Sequence, residues 1–411
     1  MLWLSHTVPY PPRSGLLLRS HYLLKGVAER NQVDLVAFVQ RPMLETYYSS
    51  VEEGLAESRE ILEKFCHSVT FVPIASVSRS LGKPRTALEG LFSPDCYTVR
   101  WLASTEATAV LSQLAAENHY DLAHFDTISL APYRKLFPGV PATLGYHNIE
   151  SHMLLRRAAK DRNWLRKFYF WQEGKRLGRY ERRVATEFAG HLTCSDLDSE
   201  RLRGFVPDIR PVSIPNGVDV EYFSPLGKAV RRHSLIFVST LTWYPNLDAA
   251  LFLLREIWPI LKERVPDATL DVVGAGATAE LAGLAAGLDG VTLHGFVPDI
   301  RPILDSAAVF ICPIRDGGGT KLKILDAFAM AKCVVAHPIA CEGIDVRDGE
   351  NAVLARSAAE FVQQLAPLLD DDERRAEIGR AARETAVSAY AFNAIGRQLD
   401  QYLRGLANAP D

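Results

Sequence analysis

Three consecutive glycines, Gly317, Gly318 and Gly319, separate an apolar strand-like run from a helical one in VFICPIRDGGGTKLKILDAFAM. Glycines let backbone amides approach a ligand closely, and the unpaired N–H groups and dipole of a following helix favour an anion. The pattern predicts a phosphate site, with the helix starting near Thr320. Lys321 and Lys323 then occupy its first turn, the end of a helix where the dipole disfavours cations. Facing bound phosphate would account for that violation; surface lysines after a flexible turn are the alternative. Asp326, two turns in, suits the hydroxyls of a ribose or sugar as a hydrogen-bond acceptor.

A second group of candidates lies near the ends of apolar runs in the first half. Gly15 follows a proline-rich turn and opens a helix, where close backbone approach to a phosphate or a second substrate is one reading and a plain turn the other. Arg19, one turn further, is within reach of a phosphate but reads better as a solvated arginine. His124 and Asp126 in DLAHFD, and His147, Asn148 and Glu150 in GYHNIE, fall at strand ends, where open parallel sheets place ligands. Residues 152–183 carry eleven Lys and Arg against three Asp and Glu, interleaved with Trp164, Phe168, Tyr169, Phe170 and Trp171. Two readings of that segment stand: an interfacial helix facing anionic lipid, or a helix whose aromatics pack on its own domain. Neither the scattered cysteines and histidines nor the D-x-D at Asp196 to Asp198, which reads as a helix cap, calls for a metal.

The elements that must position these residues form a repeated β-then-α text. VDLVAFV, SVTFVPI, DLAHF and PATLGYH alternate with longer amphipathic stretches, the pattern of a parallel sheet covered by helices. After a charged helical stretch at about 151–190 the alternation resumes with HLTCS and PVSIPNGVD, and then restarts with SLIFVS, ATLDVVGAG, GVTLHGF, AVFICPI and KCVVAHP. The restart predicts a second sheet, so the domains are placed at 1–214 and 233–385, with a linker at 215–232. The segment 386–411 contains a helix with an apolar face at Phe392, Ile395, Leu399, Tyr402 and Leu403, which must bury itself.

At 411 residues the chain exceeds one compact core, and 48% apolar with 23% charged residues is an ordinary globular balance. A net charge of −3 offers no reason to expect nucleic acid. The six cysteines include no C-x-x-C pair and read as reduced core thiols of a cytosolic protein. MLWLSHTVPYPP lacks the basic and apolar regions of an export signal, and no run approaches the roughly eighteen apolar residues that span a bilayer, so a cytoplasmic protein is expected.

SIPNGVDVEYFSP, LDVVGAG, LHGFVPDIRPILDSAAVFICPI and GGGTKLKILDAFAM, in that order and spacing, resemble the C-terminal domain of family 4 glycosyltransferases of the GT-B fold. PYPPRSGLLLRSHYLLKGVAERNQVDLVAF is similar to the family's first strand, glycine loop and helix. Within the family the chain most resembles sugar transferases of bacterial exopolysaccharide systems. The resemblance implies an α/β protein with two Rossmann-like domains, parallel sheets facing across a cleft, and a C-terminal helix returning to the first domain. It also implies retaining transfer, with the donor on the second domain and the acceptor on the first; since Lys321, Lys323 and a helix terminus can stand in for a divalent ion, metal-independent transfer of a hexosyl type is expected.

The implied partners are a nucleotide-diphosphate sugar as co-substrate, with no other cofactor, and a glycan or lipid-linked acceptor; the composition of 152–183 adds, as one of its two readings, an anionic membrane surface met peripherally. The implied donor set is Gly15, Gly317, Gly318, Gly319, Thr320, Lys321, Lys323 and Asp326, and the catalytic set Asp126, His147 and Lys321. Asp326 matches the second Glu of the family's E-x7-E, while the first falls on Gly318. The family's Arg and Lys diphosphate pair falls on Thr240 and Asn246, so Lys321 and Lys323 are expected to carry that charge. These departures keep a degenerate scaffold subunit in view. A nucleotide-sugar 2-epimerase and an NAD enzyme, the latter suggested by Gly274, Gly276 and Ala279 as G-x-G-x-x-A, are the other rivals.

Overall fold

The computed structural model describes residues 1–74, 96–161, 163–317 and 320–408, so Gly318 and Gly319 lie outside the described residues. The chain divides into two compact units, Met1–Pro215 with Ile395–Asp411, and Asn216–Ala394.

Among the described residues, the first unit holds seven parallel strands: β1 (Leu2–Ser5), β2 (Asp34–Val39), β3 (Ser68–Pro73), β4 (Ala123–Phe125), β5 (Ala142–Gly145), β6 (Gly190–Thr193) and β7 (Val212–Ser213). Their order is β3-β2-β1-β4-β5-β6-β7. Successive side chains serve opposite faces: Leu2, Leu4, Phe38 and Phe125 enter one apolar cluster, and Trp3, Leu35, Ala37 and Val39 the other. Burial on both faces explains why these strands read as continuous apolar runs. Helices α1 (Gly15–Ala28), α2 (Val51–Leu62), α3 (Thr105–Glu117), α4 (Glu150–Lys160), α5 (Trp164–Ala185) and α6 (Asp196–Phe205) join them. Ser195 caps α6, accepting from the Asp198 amide at 3.2 Å, and Asp198 also pairs with Arg201, so this D-x-D is a helix start.

The second unit contains β8 (Ser234–Val238), β9 (Thr269–Val273), β10 (Val291–Gly295), β11 (Val309–Cys312), β12 (Cys333–Ala336) and β13 (Val353–Leu354), in the order β10-β9-β8-β11-β12-β13, again with parallel pairings. Among its helices are α7 (Tyr244–Phe252), α8 (Ala279–Ala286), α9 (Leu322–Ala329), α10 (Ala358–Asp370) and α11 (Asp372–Ala389). The last helix, α12 (Phe392–Ala407), buries Ile395, Leu399 and Leu403 in the Trp3 cluster of the first unit. A Cβ on Gly26 of α1 would lie 2.7 Å from Gly396 Cα, so only glycine lets these two helices cross at that distance.

The G-x-G-x-x-A text has a packing explanation. Gly274 has φ +150°, and a Cβ there would lie 1.7 Å from the Ser239 carbonyl oxygen. The turn after β9 is laced to the turn after β8 by Ser239 N–H to Val273 O and Leu241 N–H to Ala275 O, both 2.8 Å. Gly274→Ala is therefore expected to cost about 2–4 kcal/mol in a urea unfolding experiment, and an unchanged midpoint would contradict this account.

In both sheets the chain reverses its direction of growth beside the first strand, between β1 and β4 and between β8 and β11. The carboxyl ends of the strands flanking such a reversal form a crevice in which open α/β sheets bind ligands. Asp126 and His147 lie at the first of those places, and Lys321 and Lys323 at the second.

Candidate functional site

In the second unit, β11 leads through Arg315, Asp316 and Gly317, the last at φ +104°, toward α9. The helix begins at Leu322 with Lys321 as its cap residue, two residues later than the sequence text suggests. Lys321 and Lys323 therefore leave the chain differently. Lys321 Nζ turns back to donate to the Gly317 carbonyl at 3.3 Å. Lys323 Nζ donates to Ser239 Oγ, just after β8, at 2.5 Å and to Asn246 Oδ1, in the first turn of α7, at 3.1 Å. Asn246 Nδ2 in turn donates to the Thr240 carbonyl at 2.8 Å.

Burial pushes the Lys323 ammonium down to about 8. Burial likewise raises the Asp326 carboxyl to about 7, against the opposing charge of Lys323. Thr320 Oγ1 is fully buried and has no hydrogen-bond partner among the described residues. An orphaned hydroxyl of that kind costs about 1–3 kcal/mol, which a ligand acceptor would recover. The Gly317 amide is already engaged by Asp316 Oδ1 at 2.7 Å. Arg315 pairs with Asp248 on α7 at 3.2 Å and covers the Phe252 ring, so it belongs to the frame.

In the first unit, Asp126 follows β4, His6 follows β1 and His147 lies just beyond β5. Sheet order makes these three strands neighbours, and their end residues meet. Asp126 Oδ1 is 2.9 Å from His147 Nε2, and Oδ2 is 3.1 Å from His6 Nδ1. Ser20 Oγ of α1 donates to Oδ2 at 3.2 Å, and Ser5 Oγ stands 3.3 Å from it. Burial disfavours the Asp126 charge, but His147 and His6 outweigh it and hold the carboxyl well below its usual range. Burial lowers the His147 imidazole. An ionised Asp126 accepts from both rings, which assigns the protons to His147 Nε2 and His6 Nδ1 and leaves His147 Nδ1 and His6 Nε2 as the basic nitrogens.

His6, Asp126 and His147 offer ligand atoms within 4.8 Å of one another and could hold a metal ion. An ion there would replace the hydrogen bonds that both carboxylate oxygens already make.

The other candidates take different places. His124 is buried, its ring tilted against Trp3 with centroids 4.1 Å apart and bonded to Thr143 at 2.9 Å, apart from this cluster. Glu150 receives the Thr127 hydroxyl at 3.1 Å beside it. Gly15 is exposed at the first residue of α1. Arg19 is buried and donates to the Pro215 carbonyl at 2.9 Å, where a solvated side chain was expected; the chain after β7 folds over it. Sequence reasoning missed His6, Ser20 and Ser239. His6 had a signal, since it follows its strand as Asp126 and His147 follow theirs.

The description "Glycosyltransferase Family 4" matches residues 59–222, and "Glycosyl transferases group 1" matches residues 232–371. The chain is similar to an uncharacterized 44.6 kDa protein in the cps region of Klebsiella pneumoniae, 24% identical over 373 residues and 87% of each chain. It is also similar to a phosphatidyl-myo-inositol mannosyltransferase of Mycobacterium tuberculosis, 27% identical over 226 residues, which are 52% of this chain and 58% of that one. Among solved structures, Anabaena HepE in complex with UDP and glucose superposes with a TM-score of 0.65 at 16% identity, over 98% of this chain and 99% of that one. At that identity the likeness concerns the fold, which is GT-B.

Proposed function

Because the chain is a glycosyltransferase of the family 4, GT-B type, we propose that the unit Asn216–Ala394 takes a nucleotide-diphosphate sugar where β8 and β11 part. The sugar passes with retention, and without a catalytic metal, to a glycan or lipid-linked acceptor held by the first unit. Similarity to a cps-region protein supports a role in exopolysaccharide or other cell-surface glycan synthesis; work at the cytoplasmic face of the membrane is part of the same proposal.

Lys323 carries this reading. The resemblance places the family's diphosphate cations at Thr240 and Asn246, and the Lys323 ammonium is held 3.1 Å from Asn246 Oδ1. One cation has been moved from the turn after β8 to the helix after β11 while serving the same spot. As the bond to the sugar breaks, negative charge grows on the departing diphosphate, and preorganised cations lower that barrier because the charge is greatest in the transition state. Lys323 and Lys321 supply this charge, Thr320 Oγ1 donates to a phosphate oxygen, and Asp326 holds ribose hydroxyls. In the first unit, Asp126 fixes His147 and His6 so that a basic nitrogen faces the acceptor hydroxyl.

A thermal-shift screen against UDP, GDP, ADP and NAD, with and without EDTA, tests the donor site. One nucleoside diphosphate at a hundredfold excess over its dissociation constant is expected to raise the melting temperature by roughly 5–10 °C, with EDTA making no difference. No response to any diphosphate would sink the donor reading in favour of a scaffold, and a response to NAD alone would replace it. NMR of the product's anomeric signal decides retention.

A further inference from the structure

The basic and aromatic text of 152–183 left open whether the aromatics pack inward. The structure separates the two halves of α5. From Glu173 onward it is anchored: Leu177 and Val184 enter the core, Glu173 accepts from the Tyr97 amide at 2.9 Å, and Leu155 of α4 lies against Gly174. Its N-terminal half projects Trp164, Phe168 and Trp171 at 73%, 56% and 50% exposure. Spacings of four, three, four, four and three set Trp164, Phe168, Trp171, Lys175, Arg179 and Arg182 on one face, and all six are exposed. The stripe runs about 27 Å, aromatic at one end and cationic at the other.

Charge on this helix is segregated as sharply. Both of its acidic residues, Glu173 and Glu181, are buried, so the outward surface carries cations only. Three large rings held in water by an anchored helix are costly unless something covers them. A protein partner could bury the rings, but a row of cations continuous with them fits a surface whose apolar interior lies directly behind a layer of negative charge. We propose that this face of α5 is a docking surface for an anionic phospholipid bilayer: the rings enter the headgroup boundary and Lys175, Arg179 and Arg182 pair with lipid phosphates. Among the described residues no helix is long and apolar enough to cross a membrane, so the contact is peripheral. The inference does not depend on the transfer reading.

The full chain is sedimented at low salt with phosphatidylcholine vesicles and with vesicles containing one third phosphatidylglycerol. Binding is expected to the anionic vesicles only, and to be released by high salt. Trp164→Ser, Phe168→Ser and Trp171→Ser together are expected to weaken it about tenfold or more, as are Lys175→Glu with Arg179→Glu, with unchanged melting temperatures. Brominated anionic lipid should quench the fluorescence of the unmodified protein, which answers the question even if the variants fold poorly. Failure to sediment with anionic vesicles, equal binding to neutral ones, or absence of quenching overturns the proposal. A dimer of the unmodified chain that the triple serine variant converts to monomer would overturn it too, assigning the stripe to a second copy.

Discussion

Lys323→Ala is expected to lower sugar transfer by two to three orders of magnitude and to weaken nucleoside-diphosphate binding, while the protein keeps its fold. The magnitude is that of removing one preorganised group from a developing oxyanion. The fold should survive because Lys323 bonds two neutral groups, Ser239 just after β8 and Asn246 in the first turn of α7, and the buried Asp326 carboxyl, already raised to about 7, can protonate when the cation is gone. Arginine should not rescue: its planar fork is longer than the ammonium and would not fit between those two partners.

The same ammonium predicts a pH dependence. Burial lowers it to about 8, and only the protonated form pairs with diphosphate, so the Lys323 contribution to donor affinity should be full well below pH 8 and be lost as pH rises through that value. Bound diphosphate stabilises the charged form and raises its pKa, so the decline in turnover at saturating donor should begin at higher pH than the decline in affinity. Isothermal titration with the donor nucleotide from pH 7 to 9 checks the first statement, and kcat over the same range the second. If Lys323→Ala transfers within about tenfold of the original chain while Lys321→Ala does not, the charge belongs to Lys321 instead.

How much of this could be read beforehand follows from what each feature depends on. The strands were legible because parallel strands buried on both faces leave compact apolar runs, and nearly every run singled out in the text is a strand. Two strands were not singled out as runs: β1, in MLWLS, and the edge strand β13, two residues long in NAVLA and too short to leave a pattern. The start of α9 was displaced because Thr320 resembles a cap, whereas its hydroxyl is buried without capping the helix. Asp126 and His147 could be nominated singly, since each follows its own strand. Their union with His6 depends on β4 inserting beside β1, which no local pattern encodes. The reach of Lys323 to Asn246 crosses 77 residues and likewise exists only in the folded unit. Chemistry at strand ends is nominated locally and assembled by sheet order.

That assembly makes Asp126→Asn the most informative change in the first unit. The carboxylate accepts from both imidazoles and from Ser20, whereas an amide offers one acceptor oxygen and turns an NH2 group toward groups that are themselves donors. At least one histidine must rotate or change tautomer, so the basic nitrogen facing the acceptor is lost. Transfer is expected to fall by two to four orders of magnitude, the range for losing an oriented acid–base group. The donor-induced rise in melting temperature should persist, because Lys323, Thr320 and Asp326 are in the other unit. A fall in both would mean that Asp126 acts through the fold alone, and transfer within tenfold of the original would remove the cluster from the mechanism. Stability carries a second signature. The folded Asp126 carboxyl lies below its unfolded value, so its contribution is present above about pH 4 and is lost as pH falls through the depressed folded value. Asp126→Asn should therefore be less stable than the original chain by about 1–3 kcal/mol at neutral pH, a gap that narrows in acid. Urea unfolding of both proteins at pH 7 and in steps below about pH 4 measures it, and a gap that does not narrow below that pH would show that the folded carboxyl is not held under its unfolded value.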